Sequence, residues 1–255
     1  MYSDSRRRKP AVIVLIVLLL LLLGIGAFFG VRFYRDYQAG KQAEELSESY
    51  TVPTTFDNRP ENPVDFVSLR DRNSEIYAWI VVPNTEIELP ILQSCADDLY
   101  YLNRDLDGKY SRLGSLFTQS QNSLDFSDPV TVIYGHNYLS GGMFTNLHYF
   151  EDAEFFKENE FFYIYTPTRK LTYRVVSAHK YDDRHILNSF DFSDEQVRRD
   201  FFDSLLNPKA MLRNVREGAV IETDDKLVIL STCLTRGYSG RYLVNGVLVN
   251  DEQTK

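Results

Sequence analysis

The chain begins with a long apolar segment, and shorter alternating segments follow it. Residues 11–31 are almost wholly apolar and carry no charge. With a rise of about 1.5 Å per residue, a helix of this length spans roughly 31 Å, the thickness of a bilayer core. We therefore expect a membrane anchor, followed by a domain large enough to bury its own hydrophobic core.

Beyond residue 61 the pattern predicts β-strands. Short runs rich in β-branched and aromatic residues alternate with Pro-Asn, Asp-Gly and Asp-Asp turn signals. The predicted strands cover residues 76–82, 88–93, 114–118, 131–135, 161–166, 170–179, 219–223, 226–232 and 241–249. This pattern indicates a mainly β fold, either a mostly antiparallel barrel or a sandwich.

Helical patterns lie between the predicted strands. Asn62 as N-cap and Pro63 at the first helical position predict an opening helix whose apolar face holds Val64, Val67 and Phe66. The other predicted helices cover residues 143–150, 151–159 and 193–207. The last of these begins with a Ser-x-x-Gln capping pattern, so helices decorate the predicted sheet.

Charge indicates which side of the membrane each part occupies. The basic cluster at residues 6–9 adjoins the apolar run, which favours a cytoplasmic N-terminus. A cleaved signal peptide is the competing interpretation, but its apolar region is usually shorter and ends in small residues. We predict four parts along the chain: a cytoplasmic tail at 1–10, a transmembrane anchor at 11–31, a juxtamembrane helix and linker at 32–61, and an extracellular globular domain at 62–255.

Composition narrows the range of functions. The sequence holds 28 Lys and Arg against 36 Asp and Glu, a net charge of −8, so we expect no nucleic-acid partner. Its two cysteines, Cys95 and Cys233, permit one disulfide in an exported domain. Such a bridge would leave no free thiol for cysteine chemistry.

The strand that ends in Cys233 carries the first candidate chemistry. Arg241 opens the next predicted strand, so a strand-loop-strand unit brings the two residues into one neighbourhood. A cysteine nucleophile gains from a nearby cation, which Arg241 supplies. The alternative is a small buried cysteine at a strand end and a solvated arginine.

His136 is the second candidate. It follows the apolar strand that ends at Gly135 and opens a glycine-rich loop, a location where catalytic side chains often lie. An imidazole there suits the general acid that a cysteine nucleophile requires. The alternative is a loop histidine that makes turn hydrogen bonds.

The remaining histidines and Cys95 invite structural interpretations. His148 lies in a predicted short helix and is expected to be packed there. His179 and His185 flank two aspartates with irregular spacing, which indicates a polar connection rather than a metal site. Cys95 has no catalytic pattern beside it, so we expect it to be structural.

Several of these segments together resemble the signature segments of sortases. They are LSTC at 230–233 with Arg241, and YGHN at 134–137 followed by GGMFTNL. The run at 97–117, which ends in GSLF, and the helical insertion at 180–215 resemble the class B branch. A second arginine, Arg236, lies nearer to the cysteine, but Arg241 matches the family position.

The resemblance implies a sortase-type closed β-barrel with peripheral helices, an N-terminal helix and a helical insertion, preceded by one transmembrane helix. It implies a membrane-anchored cysteine transpeptidase that cleaves a C-terminal sorting signal of secreted proteins, typically Asn-Pro-x-Thr-x, after threonine. Cys233 would attack the carbonyl, His136 would act as acid and base, and Arg241 would bind the oxyanion or substrate carbonyls. The acyl acceptor would be an amine of a peptidoglycan precursor or a pilin lysine, and neither metal nor cofactor is implied.

Two other functions are alternatives for an exported domain with these cysteines. Cell-wall L,D-transpeptidases also use an exported cysteine, but their Ser-His-Gly-Cys core is absent from this sequence. The remaining alternative is a non-enzymatic, membrane-tethered β-domain with a Cys95–Cys233 disulfide, which would serve as an adhesin or assembly scaffold.

Overall fold

The computed structural model describes residues 25–35, 37–38, 41, 60–138, 141–233 and 240–255. The chain divides into two compact units, Met1–Gln38 and Ala39–Lys255. In the first unit, residues 25–35 form a helix, α1. No helix in these described ranges combines the length and apolar character needed to cross a membrane. The predicted cytoplasmic tail, 1–10, and residues 11–24 of the predicted anchor lie outside the described residues.

The second unit consists mainly of β-strands. Those in its described part are β1 (Ile76–Val82), β2 (Ile87–Leu92), β3 (Leu116–Phe117), β4 (Val130–Tyr134), β5 (Phe161–Thr166), β6 (Arg169–Tyr181), β7 (Arg213–Val215), β8 (Leu227–Cys233) and β9 (Arg241–Gln253). The α-helices are α2 (Phe66–Arg72), α3 (Ala153–Glu158), α4 (Ile186–Ser189) and α5 (Glu195–Leu206). Two 3₁₀-helices, η1 (Tyr100–Asn103) and η2 (Thr145–Glu151), complete the set.

The strands close into a barrel. The ring order is β5-β1-β2-β3-β4-β8-β9-β6, and β6 pairs back onto β5. The short strand β7 attaches to β6 outside the ring. Two pairings are parallel, β2 with β3 and β4 with β8, and the others are antiparallel. The β5–β6 pairing therefore decides between the two predicted architectures, and the mainly β, closed barrel is confirmed.

One predicted strand, at 219–223, is wrong. The short strand of this region is instead β7, at Arg213–Val215. After it the chain turns, since the amide of Ala219 donates to the carbonyl of Arg216 at 3.1 Å. Ile221 packs against the outer face of the barrel from this turn, so its apolar character reflects tertiary packing rather than strand pairing.

The predicted start of the opening helix is also wrong. α2 is capped by Asp65, whose carboxylate accepts a hydrogen bond from a first-turn amide. The side chain of Asn62 instead donates to a strand carbonyl far along the chain, at 2.7 Å. Val64 and Phe66 are buried as predicted, but because the helix begins later than predicted, Leu69 and not Val67 completes the buried face, and Val67 is 75% exposed.

Alternation along the strands buries apolar side chains on both faces of the sheet. On β8, Val228 and Leu230 point into the barrel, while Leu227 and Ile229 belong to a cluster on its outer face. α5 covers this outer cluster with three buried side chains, Phe201, Phe202 and Leu205. Burying each such side chain contributes roughly 1.5–3 kcal/mol. The N-cap of α5 is Asp194, not Ser193 as the capping pattern suggested.

A buried histidine in β6 makes the stability of the domain depend on pH. His179 is 2% exposed, and burial lowers its pKa to about 4. Between pH 6.5 and 4 the unfolded chain binds a proton that the folded chain does not, so stability falls as the pH drops. We expect His179 to account for a loss of about 2–3 kcal/mol between pH 7 and pH 4.5.

Urea unfolding of the wild type and His179→Leu at both pH values measures this loss. The variant should lose less stability on acidification than the wild type. An equal loss in the two proteins would mean that His179 does not contribute.

Candidate active site

The site lies where the parallel strands β4 and β8 end together. Tyr134 is in register with Ser231, and the last ladder bond runs from the amide of Gly135 to the carbonyl of Ser231 at 3.1 Å. Two residues beyond these register partners come His136 and Cys233. Because side chains alternate along a strand and neighbouring strands lie about 4.8 Å apart, both residues belong to one face and one end of the sheet.

Cys233 and Arg241 form a cross-strand pair between β8 and β9. The Nη1 atom of Arg241 donates a hydrogen bond to Sγ of Cys233 at 2.9 Å. A guanidinium has only donors, so the sulfur is the acceptor in this contact. The structure therefore joins the two residues that the sequence paired, whereas the other candidate arginine, Arg236, lies outside the described residues.

His136 is held by a main-chain carbonyl. Its Nε2 lies 2.6 Å from the carbonyl oxygen of Leu102, which can only accept, so Nε2 carries the proton. Burial lowers the pKa of His136; the bond to Leu102 opposes this shift, and the charge of Arg241 adds to it. The imidazole is therefore neutral at pH 7, with its lone pair on Nδ1.

A glycine allows Leu102 to reach this position. Gly114 has a φ of +61°, and a Cβ there would lie only 2.5 Å from the carbonyl oxygen of Leu102. The turn of η1 that carries Leu102 thus packs directly on the glycine backbone. The run at 97–117 contributes to the site through this contact, which supports the ring of His136.

A second group of side chains lies behind the cysteine. The Nδ2 atom of Asn137 and the Nε2 atom of His148 are each 3.1 Å from the carbonyl oxygen of Cys233, and they are 2.9 Å from each other. The other ring nitrogen of His148 lies 2.6 Å from Oε1 of Glu151. The His148 ring also stacks on Tyr242, with centroids 5.0 Å apart. His148 is packed in η2, as predicted, but its contact with Cys233 was not predicted.

Tyr134, the last residue of β4, also lies near the candidate residues. Its ring stacks on Phe117 at 5.4 Å, and its buried hydroxyl has no hydrogen-bond partner among the described residues. Burial raises the pKa of Tyr134 to about 12, an effect that the charge of Arg241 opposes. The hydroxyl is therefore a proton donor at neutral pH. Sequence reasoning missed it, although it lies two residues before His136 on the same strand face.

The other candidate residues lie in structural settings. Both cysteines are free thiols, so the disulfide required by the scaffold alternative is not formed. Cys95 is exposed, and its amide donates to Oε1 of Glu75 at 3.0 Å. His185 caps α4 by accepting from the amide of Asn188, and His179 is buried in β6.

The chain is similar to known proteins over most of its length. The model of the sortase domain matches residues 80–249. The chain is 27% identical to a Sortase B of Listeria monocytogenes over 234 residues, which cover 89% of this chain and 93% of that protein. It also resembles the crystal structure of sortase B from Bacillus anthracis, with 27% identity, a TM-score of 0.69, and coverage of 86% and 98% of the two chains. A class B sortase of Streptococcus pyogenes involved in pilus biogenesis shows 29% identity, a TM-score of 0.63, and coverage of 73% and 98%.

Proposed function

Because this chain belongs to the sortase family, in its class B branch, and sortases are cysteine transpeptidases, we propose that Cys233, His136 and Arg241 are its catalytic residues. The observation that carries the proposal is the 2.9 Å contact between Arg241 and the sulfur of Cys233, with His136 at the end of the adjacent parallel strand. A free thiol, a cation and a neutral imidazole at one sheet edge suit acyl transfer through a thioester.

The first step is attack of Sγ of Cys233 on the carbonyl carbon of the scissile peptide bond. As the sulfur–carbon bond forms, the thiol proton passes to Nδ1 of His136, the nitrogen that holds a lone pair in the neutral ring. Negative charge then develops on the carbonyl oxygen. The tetrahedral intermediate collapses when the carbon–nitrogen bond breaks, and His136 returns the proton to the departing amine.

Arg241 stabilises the charge that moves through these steps. Its guanidinium already donates to the sulfur, so it lies beside the atom to which the substrate carbonyl becomes attached. Further N–H groups of the same fork can donate to the oxyanion as charge passes from sulfur to oxygen. A donor placed in this way is worth about 10²–10³ in kcat in enzymes that bind an oxyanion.

The second half of the reaction transfers the acyl group to an amine. His136 takes a proton from the incoming amine as the new amide bond forms. The carbon–sulfur bond then breaks, and His136 returns the proton to the departing thiolate. A solved structure holds a sortase B complexed with triglycine, which supports an amine acceptor in general. For this chain the proposed acceptor is an amine of a peptidoglycan precursor or a pilin lysine.

The proposed substrates are secreted proteins with a C-terminal signal of the Asn-Pro-x-Thr-x type, cleaved after threonine. We also propose that residues 11–31 anchor the chain in the cell membrane, with a cytoplasmic N-terminus and the catalytic domain outside. The apolar run and the basic cluster before it support this topology. Extraction of membranes with alkaline carbonate should leave the full chain in the pellet, and its release would contradict the anchor.

Intact-mass spectrometry of the full chain with a panel of x-Pro-x-Thr-x peptides tests the reaction. We expect an added mass equal to the peptide fragment that ends at threonine, with loss of that mass when a glycine-based amine is added. Cys95→Ala is the matched control and should keep the adduct, because Cys95 lies on an exposed loop away from Arg241. If no peptide gives an adduct, the proposed chemistry is wrong.

A further inference from the structure

The main-chain carbonyl of Cys233 lies just beyond the end of a hydrogen-bond ladder. On β8 the carbonyl of Ser231 accepts from the amide of Gly135, which ends the ladder to β4. The next carbonyl on the same side of β8, two residues on, is that of Cys233. Side chains lie beside this carbonyl: Nδ2 of Asn137 and Nε2 of His148 are each 3.1 Å from its oxygen.

One arrangement of protons turns three of the four short distances in this group into hydrogen bonds. The carboxylate of Glu151 accepts from Nδ1–H of His148, which leaves Nε2 with a lone pair. One N–H of the Asn137 amide donates to that lone pair, and the other donates to the carbonyl of Cys233. Nε2 then faces the carbonyl oxygen of Cys233 as a second acceptor at 3.1 Å, whereas a proton on Nε2 would oppose two donors at the shorter distance of 2.9 Å. The chain Glu151–His148–Asn137–Cys233 is therefore a directed relay of hydrogen bonds.

The relay is held firmly at its centre. The His148 side chain is only 15% exposed, and its ring lies against the fully buried Tyr242 with 26° between the planes. Tyr242 directly follows Arg241 on β9 and is the register partner of Thr232. The relay therefore touches both strands that carry the nucleophile and its cation.

We propose that His148 and Glu151 are positioning residues, which act through Asn137 to hold the backbone of Cys233. The carbonyl and the sulfur belong to one residue, so fixing the carbonyl limits where Sγ can lie relative to Arg241 and His136. This inference rests on the proposed function, because it assigns the relay to the attack step. A misplacement of about 1 Å at a reacting atom can cost about 10²-fold in rate.

His148→Phe tests the relay because it keeps a ring on Tyr242 and removes both ring nitrogens. We expect kcat for peptide cleavage to fall about tenfold with KM unchanged, since substrate contacts remain. Tyr149→Phe is the matched control: this neighbour in η2 is 48% exposed, and its ring packs edge-on against Phe155 with the centroids 5.5 Å apart. Its kcat should equal that of the wild type.

Two further comparisons separate positioning from simple packing. Glu151→Gln should keep kcat near that of the wild type, because a glutamine oxygen still accepts from Nδ1–H, whereas Glu151→Ala should lower it as His148→Phe does. Asn137→Ala with His148→Phe should be no slower than Asn137→Ala alone, because both break one relay.

Two results would overturn the inference. One is a kcat of His148→Phe equal to that of the wild type. The other is a fold-loss of kcat in the double variant equal to the product of the two single fold-losses. If His148→Phe does not fold, the Glu151 pair decides the question alone, and equal rates for Glu151→Gln and Glu151→Ala would contradict the relay. Failure of the proposed function looks different, because the wild type itself would then form no thioacyl adduct.

Discussion

Replacing Cys233 with alanine is expected to abolish the thioacyl adduct and to lower peptide turnover by at least about 10⁴-fold. The reason is that no second thiol is available at the site. The other cysteine, Cys95, is exposed, and its main-chain amide donates a hydrogen bond to Glu75. The fold should be retained, since the change removes one half-buried sulfur and its bond to Arg241.

Intact mass and steady-state cleavage of a fluorogenic peptide measure this effect, and the thermal midpoint checks folding. Cys95→Ala, run in parallel, should keep both the adduct and the rate. Cleavage by Cys233→Ala at more than about 1% of the wild-type rate would place the nucleophile elsewhere. An effect of Cys95→Ala as large as that of Cys233→Ala would point to a role for both thiols.

The second large effect is expected for His136→Ala, a loss of about 10²–10⁴ in kcat/KM, the range of general acid–base catalysis. The Arg241–Cys233 contact does not involve the imidazole, so the thiol should still react with iodoacetamide. In the wild type the neutral ring is the base. Since burial lowers the pKa of His136, activity should fall on acidification only below pH 6.5.

The pH profile and chemical rescue measure the role of this histidine. His136→Ala should lose the acid limb of the wild-type profile, and added imidazole should restore part of its activity. Imidazole should not restore Cys233→Ala, which serves as the control. An unchanged acid limb in His136→Ala would assign that limb to another group and would contradict the proposed base.

Local patterns predicted the strands well wherever neighbouring residues alone decide the conformation. The runs at 76–82 and 161–166 coincide with β1 and β5. The positions of β5 alternate between buried and half-buried, whereas nearly all positions of β1 are buried, as a continuous apolar run indicates. The run at 219–223 contains similar residue types but lies between two turns and packs against the outer cluster. The difference lies in what packs against the segment, which a local pattern does not contain.

For the site, the sequence indicated the residues that end strands. Strand-end position made Cys233, Arg241 and His136 candidates, and the resemblance of their segments to sortase motifs singled them out. Parallel pairing of β4 with β8 then joined two of them. The pairing itself was not predicted, since the pattern favoured an antiparallel sheet. The long-range hydrogen bonds had no sequence signal, and the close approach of the Leu102 carbonyl to Gly114 became apparent only in the structure.

The sequence by itself therefore determined most of the strand content of this protein and, through the resemblance of its motifs, the identity of its candidate catalytic residues, because hydrophobic patterns and short motifs are local properties. Only the tertiary structure decided how these residues are supported. Leu102 lies 34 positions from His136, and His148 lies 85 positions from Cys233. Contacts at such separations arise when a barrel closes and its loops pack, and they leave no period in the sequence from which they could be predicted.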